Sequence, residues 1–266
     1  MDFEFGQTTQ SEAFFDRNPK FYPAFERLMA LTNKCFGRSF QPKNRTEHIC
    51  FSLGQTCRQD FLEVLFLAAH GYGIGASKVL RGLYERAVAL AYMIRHPEKA
   101  ERFVRFAALQ EYKAMNAALS IVSEKEFDES MKSVTASQVR ELYEQVKPEF
   151  QTTLCKKCGH KGTAFSWDID VASMVRDAGD PYGRYYLGAY AIPNFHIHAT
   201  HASAFPDSPN EEQTPERNRH EAEFALLNAT IMLLLVIRSQ DALFSLNLAV
   251  DIDKCEKDVA DVWIQS

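Results

Sequence analysis

At 266 residues the chain is long enough for one large domain or two small ones, and its 46% hydrophobic and 24% charged residues are ordinary globular values. A formal net charge of −5, from 30 basic and 35 acidic side chains with no long basic run, argues against non-specific electrostatic grip on nucleic acid. Six cysteines in this length argue against a disulfide-dense secreted scaffold, and twenty phenylalanines predict an aromatic-rich core.

Residues 1–18 read as an acidic tail without an apolar signal core, so a cytoplasmic location is expected by default. A first helix is predicted over 19–36, with Pro23 close to its start. "GRSFQPKNRTEHICFSLGQT" reads as a connector. "QTCRQDFLEVLFLAAHG" follows as a helix ending at Gly71. From Ala76 onward, Ala76, Leu80, Leu83, Ala87, Leu90 and Ile94 recur at intervals of three and four, one continuous helical stripe. Pro97 ends that helix and opens the next, whose Phe103, Phe106, Leu109 and Tyr112 are expected to face inward. A more polar helical stretch covers 123–147. Residues 148–167, which carry "CKKCGHKG", break the pattern. "DIDVASMVRDAG" reads as a short helix stopped by Gly179, and "YGRYYLGAYAIPNFHIHATHASA" as a helix broken or kinked at Pro193. A polar loop then leads into a long core helix over 215–248. Its uncharged run "FALLNATIMLLLVI" is 14 residues, too short for a helix to cross a bilayer of about 30 Å, so no membrane is expected.

No strand series, internal repeat or phosphate-binding glycine fingerprint is visible. "GYGIG" has the wrong spacing and no preceding strand, and reads as a tight turn between helices. The expectation is a single all-α domain over 1–266, a multi-helix bundle with a cysteine-containing loop.

Polar residues concentrate at two places. In "YAIPNFHIHATHASA", Asn194, His198 and His201 are four and three positions apart and share one helical face. His198 is the first choice for proton transfer, with Asn194 and His201 as ligand contacts; the alternative is a buried histidine satisfied by a carbonyl or carboxylate. In "RGLYER", Arg81 and Glu85 are one turn apart, with Tyr84 adjacent to them on the helix surface as a ligand contact. They form either an intrahelical ion pair, or an anion-binding arginine with Glu85 orienting it or a histidine. Tyr190 is placed with its hydroxyl at the same cleft. Arg102, Arg105 and Lys113 read equally well as ligand contacts or as solvated helix charges.

Cys155, Cys158 and His160 have zinc-like spacing without a second CxxC, so ordinary loop cysteines remain the alternative. HExxH is absent, and neither a metal nor a cofactor is assigned to the histidine cluster.

The helix "LRGLYERAVALAYMI", with Arg81 and Glu85, followed by Trp167, "VRDAG", Tyr190, Asn194 and His198, resembles a bacterial helical family catalogued as domain of unknown function 5677. The resemblance covers about residues 55–210. It implies an all-helical fold and no settled activity. In that family a serine is usual where Asn194 stands, which counts against a hydroxyl-based mechanism. The Arg and His elements are loosely similar to HEPN nucleases, which cleave RNA without a metal. The close Arg-then-His spacing of those enzymes is missing here, since Arg184 is too far from His196 or His198.

Three readings follow. The first is a helical ligand-binding or interaction protein, defence-related by analogy, whose polar seam holds a small anionic ligand. The second is a metal-independent phosphodiesterase or ribonuclease using Arg81, Glu85 and His198 on a nucleotide or RNA. The third is a structural-zinc interaction domain. A homodimer would bury any apolar helix face left open.

Overall fold

The computed structural model describes residues 8–153, 157–159, 161–164, 166–197 and 215–263. Its fold is 79% helical, with one small two-stranded sheet among the described residues. The chain divides into two compact units: residues 1–95 with 171–266, and residues 96–170.

The first unit begins with α1 (Thr8–Arg17), inside the segment expected to be a tail. The tail reading weighed polarity and missed Phe14, which is buried and meets Phe21 edge-on at 5.1 Å. Helix α2 (Phe21–Phe36) follows. Helix α3 (Arg45–Ala69) starts well before residue 55, inside the expected connector. Its start is a local capping motif: Asn44 Oδ1 accepts from the Glu47 amide at 2.8 Å, and Glu47 Oε2 accepts from the Lys43 amide at 2.8 Å. Within α3, Gly54 permits close packing, because a Cβ there would lie 2.7 Å from Gln240 Nε2 and 2.8 Å from the Phe36 ring.

The turn out of α3 is a Schellman motif. Gly71 adopts φ +78°, the Gly71 amide donates to the Ala68 carbonyl and the Tyr72 amide to the Leu67 carbonyl. Helix α4 (Gly73–Arg95) then runs back through the middle of the unit. Its predicted stripe is sealed: Ala76, Leu80, Leu83, Ala87 and Leu90 have no exposed surface, and Ile94 is half-buried. Each fully buried leucine contributes about 1.5–3 kcal/mol.

The second unit opens with a 3-10 turn at Pro97–Lys99, where Pro97 was expected to end one helix and open the next. Helices α5 (Ala100–Leu119), α6 (Glu124–Met131) and α7 (Ala136–Val146) follow. The polar stretch 123–147 thus forms two helices, each started by a capping box, Ser123 with Glu126 and Thr135 with Gln138. Its small core gathers Met115, Ala136 and Val139, and Tyr112 stacks on Tyr143 at 3.6 Å. Strands β1 (Gln151–Thr153) and β2 (Lys161–Thr163) pair antiparallel and bracket the cysteine-containing segment.

The first unit resumes with α8 (Val171–Ala178), stopped as predicted at Gly179, φ +72°. Then come α9 (Tyr182–Tyr186), a π turn at Leu187–Ala191 and α10 (Ile192–Asn194). The irregularity expected at Pro193 is this π turn. Pro193 lacks an amide and crowds the carbonyl one turn back, and the wider turn, closed by the Ile192 amide on the Leu187 carbonyl, relieves that crowding. Helix α11 (Pro215–Phe244) and helix α12 (Ala249–Trp263) complete the described chain.

Helices α3, α4 and α11 pack against one another to form the core. Residues 219–244 of α11 are long and apolar enough, by composition, to cross a membrane, with mean hydropathy 1.6 over an 18-residue window. Length therefore does not exclude a span, contrary to the count on the 14-residue run. The core assignment rests instead on burial: 61% of that window is covered within the fold, including Leu226, Met232, Leu233 and Ile237.

Candidate functional site

Helix α4 sets Arg81 and Glu85 one turn apart, and the guanidinium Nη1 lies 3.3 Å from Glu85 Oε2. The same guanidinium sits over the face of Tyr190, 4.9 Å from the ring centroid. Tyr190 belongs to the π turn, so that irregular segment delivers the ring to the arginine. Tyr186 is 5.3 Å from Tyr190, and Tyr84 is 5.9 Å from Tyr190 and 6.4 Å from Tyr186, which makes a cluster of three phenol rings beneath Arg81.

Tyr84 was placed on the helix surface by sequence. In the structure it is fully buried, and its hydroxyl donates to the Tyr182 carbonyl at 2.9 Å. It therefore supports the cluster from the core side. Burial pushes its phenol well above the ordinary value. The Tyr190 phenol is also raised, first by burial and then by the Glu85 charge, with Arg81 opposing.

The Arg81 side chain is 24% exposed and that of Glu85 43%. Arg81 Nε is enclosed and has no hydrogen-bond partner among the described residues. An enclosed unpaired donor costs about 1–3 kcal/mol. The cluster is therefore a clamped cation with one edge on a carboxylate and one face on a ring, its enclosed Nε turned inward.

A model of a family of unknown function, DUF5677, matches residues 47–213. The chain belongs to that family. No curated protein and no solved structure matches it. The DUF5677 region takes in most of α3, all of α4, the second unit and the segment through α10, and ends before α11. It thus contains Arg81, Glu85, Tyr84, Tyr190 and Asn194. Asn194 is half-buried in α10, one turn beyond Tyr190. His198 and His201 lie outside the described residues.

Sequence reading missed a second polar pair inside the DUF5677 region. Arg86 Nε donates to Asp60 Oδ2 at 2.7 Å, and Nη2 lies 2.6 Å from the same oxygen. Asp60 is a buried acid whose carboxyl is raised by burial, with Arg86 pulling the other way. Gly82 makes room, because a Cβ there would fall 2.8 Å from Arg86 Nη2. The available signal was Asp60 itself, which shares the inward face of α3 with Cys57, Phe61 and Val64.

The basic residues of α5 are engaged locally. Arg102 donates to the carbonyls of Trp167 and Glu149 and lies over the Phe150 ring, Arg105 pairs with Glu149 at 2.6 Å, and Lys113 reaches the Ala164 carbonyl. They pin the segment after α7 onto α5. Arg184 pairs with Asp180 one turn back on an exposed face. Cys155 and His160 lie outside the described residues, Cys158 is exposed, and among the described residues no three His, Cys, Asp or Glu side chains gather into a metal site.

Proposed function

We propose that the first unit is a ligand-binding module that recognises a small anion, a phosphate or carboxylate group, through Arg81. The observation that carries this reading is the clamped guanidinium of Arg81 between Glu85 and the face of Tyr190. Holding the arginine in place lowers the entropy lost on binding. The Glu85 contact is a partly exposed pair one helical turn apart, worth a few tenths of a kcal/mol. A two-oxygen anion offers a bidentate charge-assisted contact of greater strength, so it displaces Glu85 rather than competing on equal terms.

The test is a thermal-shift and calorimetric titration with inorganic phosphate and with acetate. Saturable stabilisation is expected for the unaltered chain, loss of it in Arg81→Ala, and tighter binding in Glu85→Gln, where the internal competitor is gone. Equal responses in the unaltered chain and in Arg81→Ala overturn the proposal. Phosphodiester cleavage by Arg81, Glu85 and His198 is the enzymatic extension of this reading. It demands product from an RNA oligonucleotide without added metal, lost in His198→Ala while phosphate binding survives.

A further inference from the structure

A groove of about 610 Å3 runs between α11 and α12, floored at one side by Pro181 and Tyr185. Arg81 is not among its lining residues, and both helices follow the DUF5677 match. One wall is the stripe Leu227, Ile231 and Leu235, three apolar residues at helical spacing left half-buried on a helix whose other faces are mostly sealed. The opposing wall is Val259, Ala260 and Trp263 of α12. From Leu227 to Arg238 the slot extends roughly 16 Å at 1.5 Å per residue. Its volume is that of a site for one small molecule rather than a water pocket.

Charge distinguishes the two ends. At the far end from Trp263, Arg238 is held by Asp253 at 3.1 Å and by Glu256 at 2.8 Å. Two carboxylates on one guanidinium leave an excess negative charge at the groove mouth. The excess is local to that end, because two further carboxylates of α12 are engaged elsewhere, Asp251 by Lys34 and Asp258 by Arg27. An anionic head group finds Arg238 already engaged, whereas a cationic head finds the unneutralised charge of the second carboxylate.

We infer that this groove binds an elongated amphiphile with a cationic head, its apolar chain laid along Leu227, Ile231 and Leu235 toward Trp263 and its ammonium group at Asp253 and Glu256. The site is independent of the Arg81 reading and stands or falls without it.

The test uses the full chain carrying Trp167→Phe, so that Trp263 is the only tryptophan emitter, and titrates dodecyltrimethylammonium, dodecyl maltoside and dodecanoate below their micellar concentrations. Calorimetry on the unaltered chain repeats the ranking without the substitution. The expected result is saturable binding in the order cationic, neutral, anionic. Glu256→Gln should weaken the cationic probe by up to about five-fold, the scale of an exposed ion pair, and leave the neutral probe unchanged. Ala260→Phe, which fills the slot, should abolish binding of both. Equal affinity for the three head groups, absence of saturable binding, or a Trp263 signal that tracks dissociation of a dimer in size-exclusion chromatography overturns the inference.

Discussion

Helix α4 sends two arginines into different surroundings. Arg81 and Arg86 leave the helix about 140° apart around its axis. Arg86 meets an acid of another helix, Asp60, whose side chain is only 9% exposed. Arg81 meets an acid of its own helix, Glu85, which is 43% exposed, and an aromatic face. The first pair bridges α3 and α4 and is part of what holds the unit together. The second bridges nothing on its carboxylate side. The same residue type, five positions apart, therefore serves architecture in one place and leaves binding capacity in the other.

The widest gap between the two should come from removing Asp60. Asp60→Ala leaves the partly exposed Arg86 without its carboxylate, and the expected loss is about 2 kcal/mol, below the range for a fully buried pair because the guanidinium keeps part of its water. Urea denaturation followed by circular dichroism checks it; a loss below that of Arg81→Ala would contradict the division of roles. Next in size is Tyr84→Phe, which removes the hydroxyl donor to the Tyr182 carbonyl and should cost about 1–1.5 kcal/mol in the same assay. Arg81→Ala loses the ion pair and the ring contact but also removes the enclosed unpaired donor; these offset, so stability should change by less than about 1 kcal/mol, while the response to phosphate is lost.

The smallest effect is a titration. Because Arg81 lowers the Tyr190 phenol while burial and Glu85 raise it, Arg81→Ala should move the Tyr190 transition further upward. Absorbance at alkaline pH, with Tyr190→Phe as the subtraction control, reads this directly. The sign of the linked stability follows. Tyr190 is raised above its ordinary value and Tyr182 is pushed up to about 12, so the folded state holds these protons longer than the unfolded chain does. The stabilisation is fully present below pH 10 and is lost as pH rises through the folded values. Urea midpoints should fall steadily between pH 10 and 12.

Periodicity made the helical class and the course of α4 readable, since a stripe at intervals of three and four needs no tertiary knowledge. The Arg81–Glu85 contact was readable for the same reason, because both ends lie on one helix. The Asn44–Glu47 cap was also written locally, but it is preceded by a polar stretch that looks like a connector. Three features were not readable. The Asp60–Arg86 pair joins residues 26 apart across two helices, and spacing says nothing of which helices become neighbours. The burial of Tyr84 depends on what covers α4. Tyr190 was expected at the Arg81 cleft by its hydroxyl, but its ring face under the guanidinium depends on the π turn, which arises from helix continuity pressing against Pro193. Phe14 shows the opposite error, an anchoring aromatic hidden in a segment whose average composition is polar.

The wide turn at Leu187–Ala191 makes residue count a determinant of the site in its own right. Each residue of an ordinary helix turns the chain by about 100°. Losing Gly188 alone would allow the turn to close normally and swing the Tyr190 phenol by about that angle, off the guanidinium it now faces. Point substitutions elsewhere in the turn keep the count and hence the alignment. The pairing of ring and cation is thus encoded in the length of a single turn as much as in the identity of the two residues that meet.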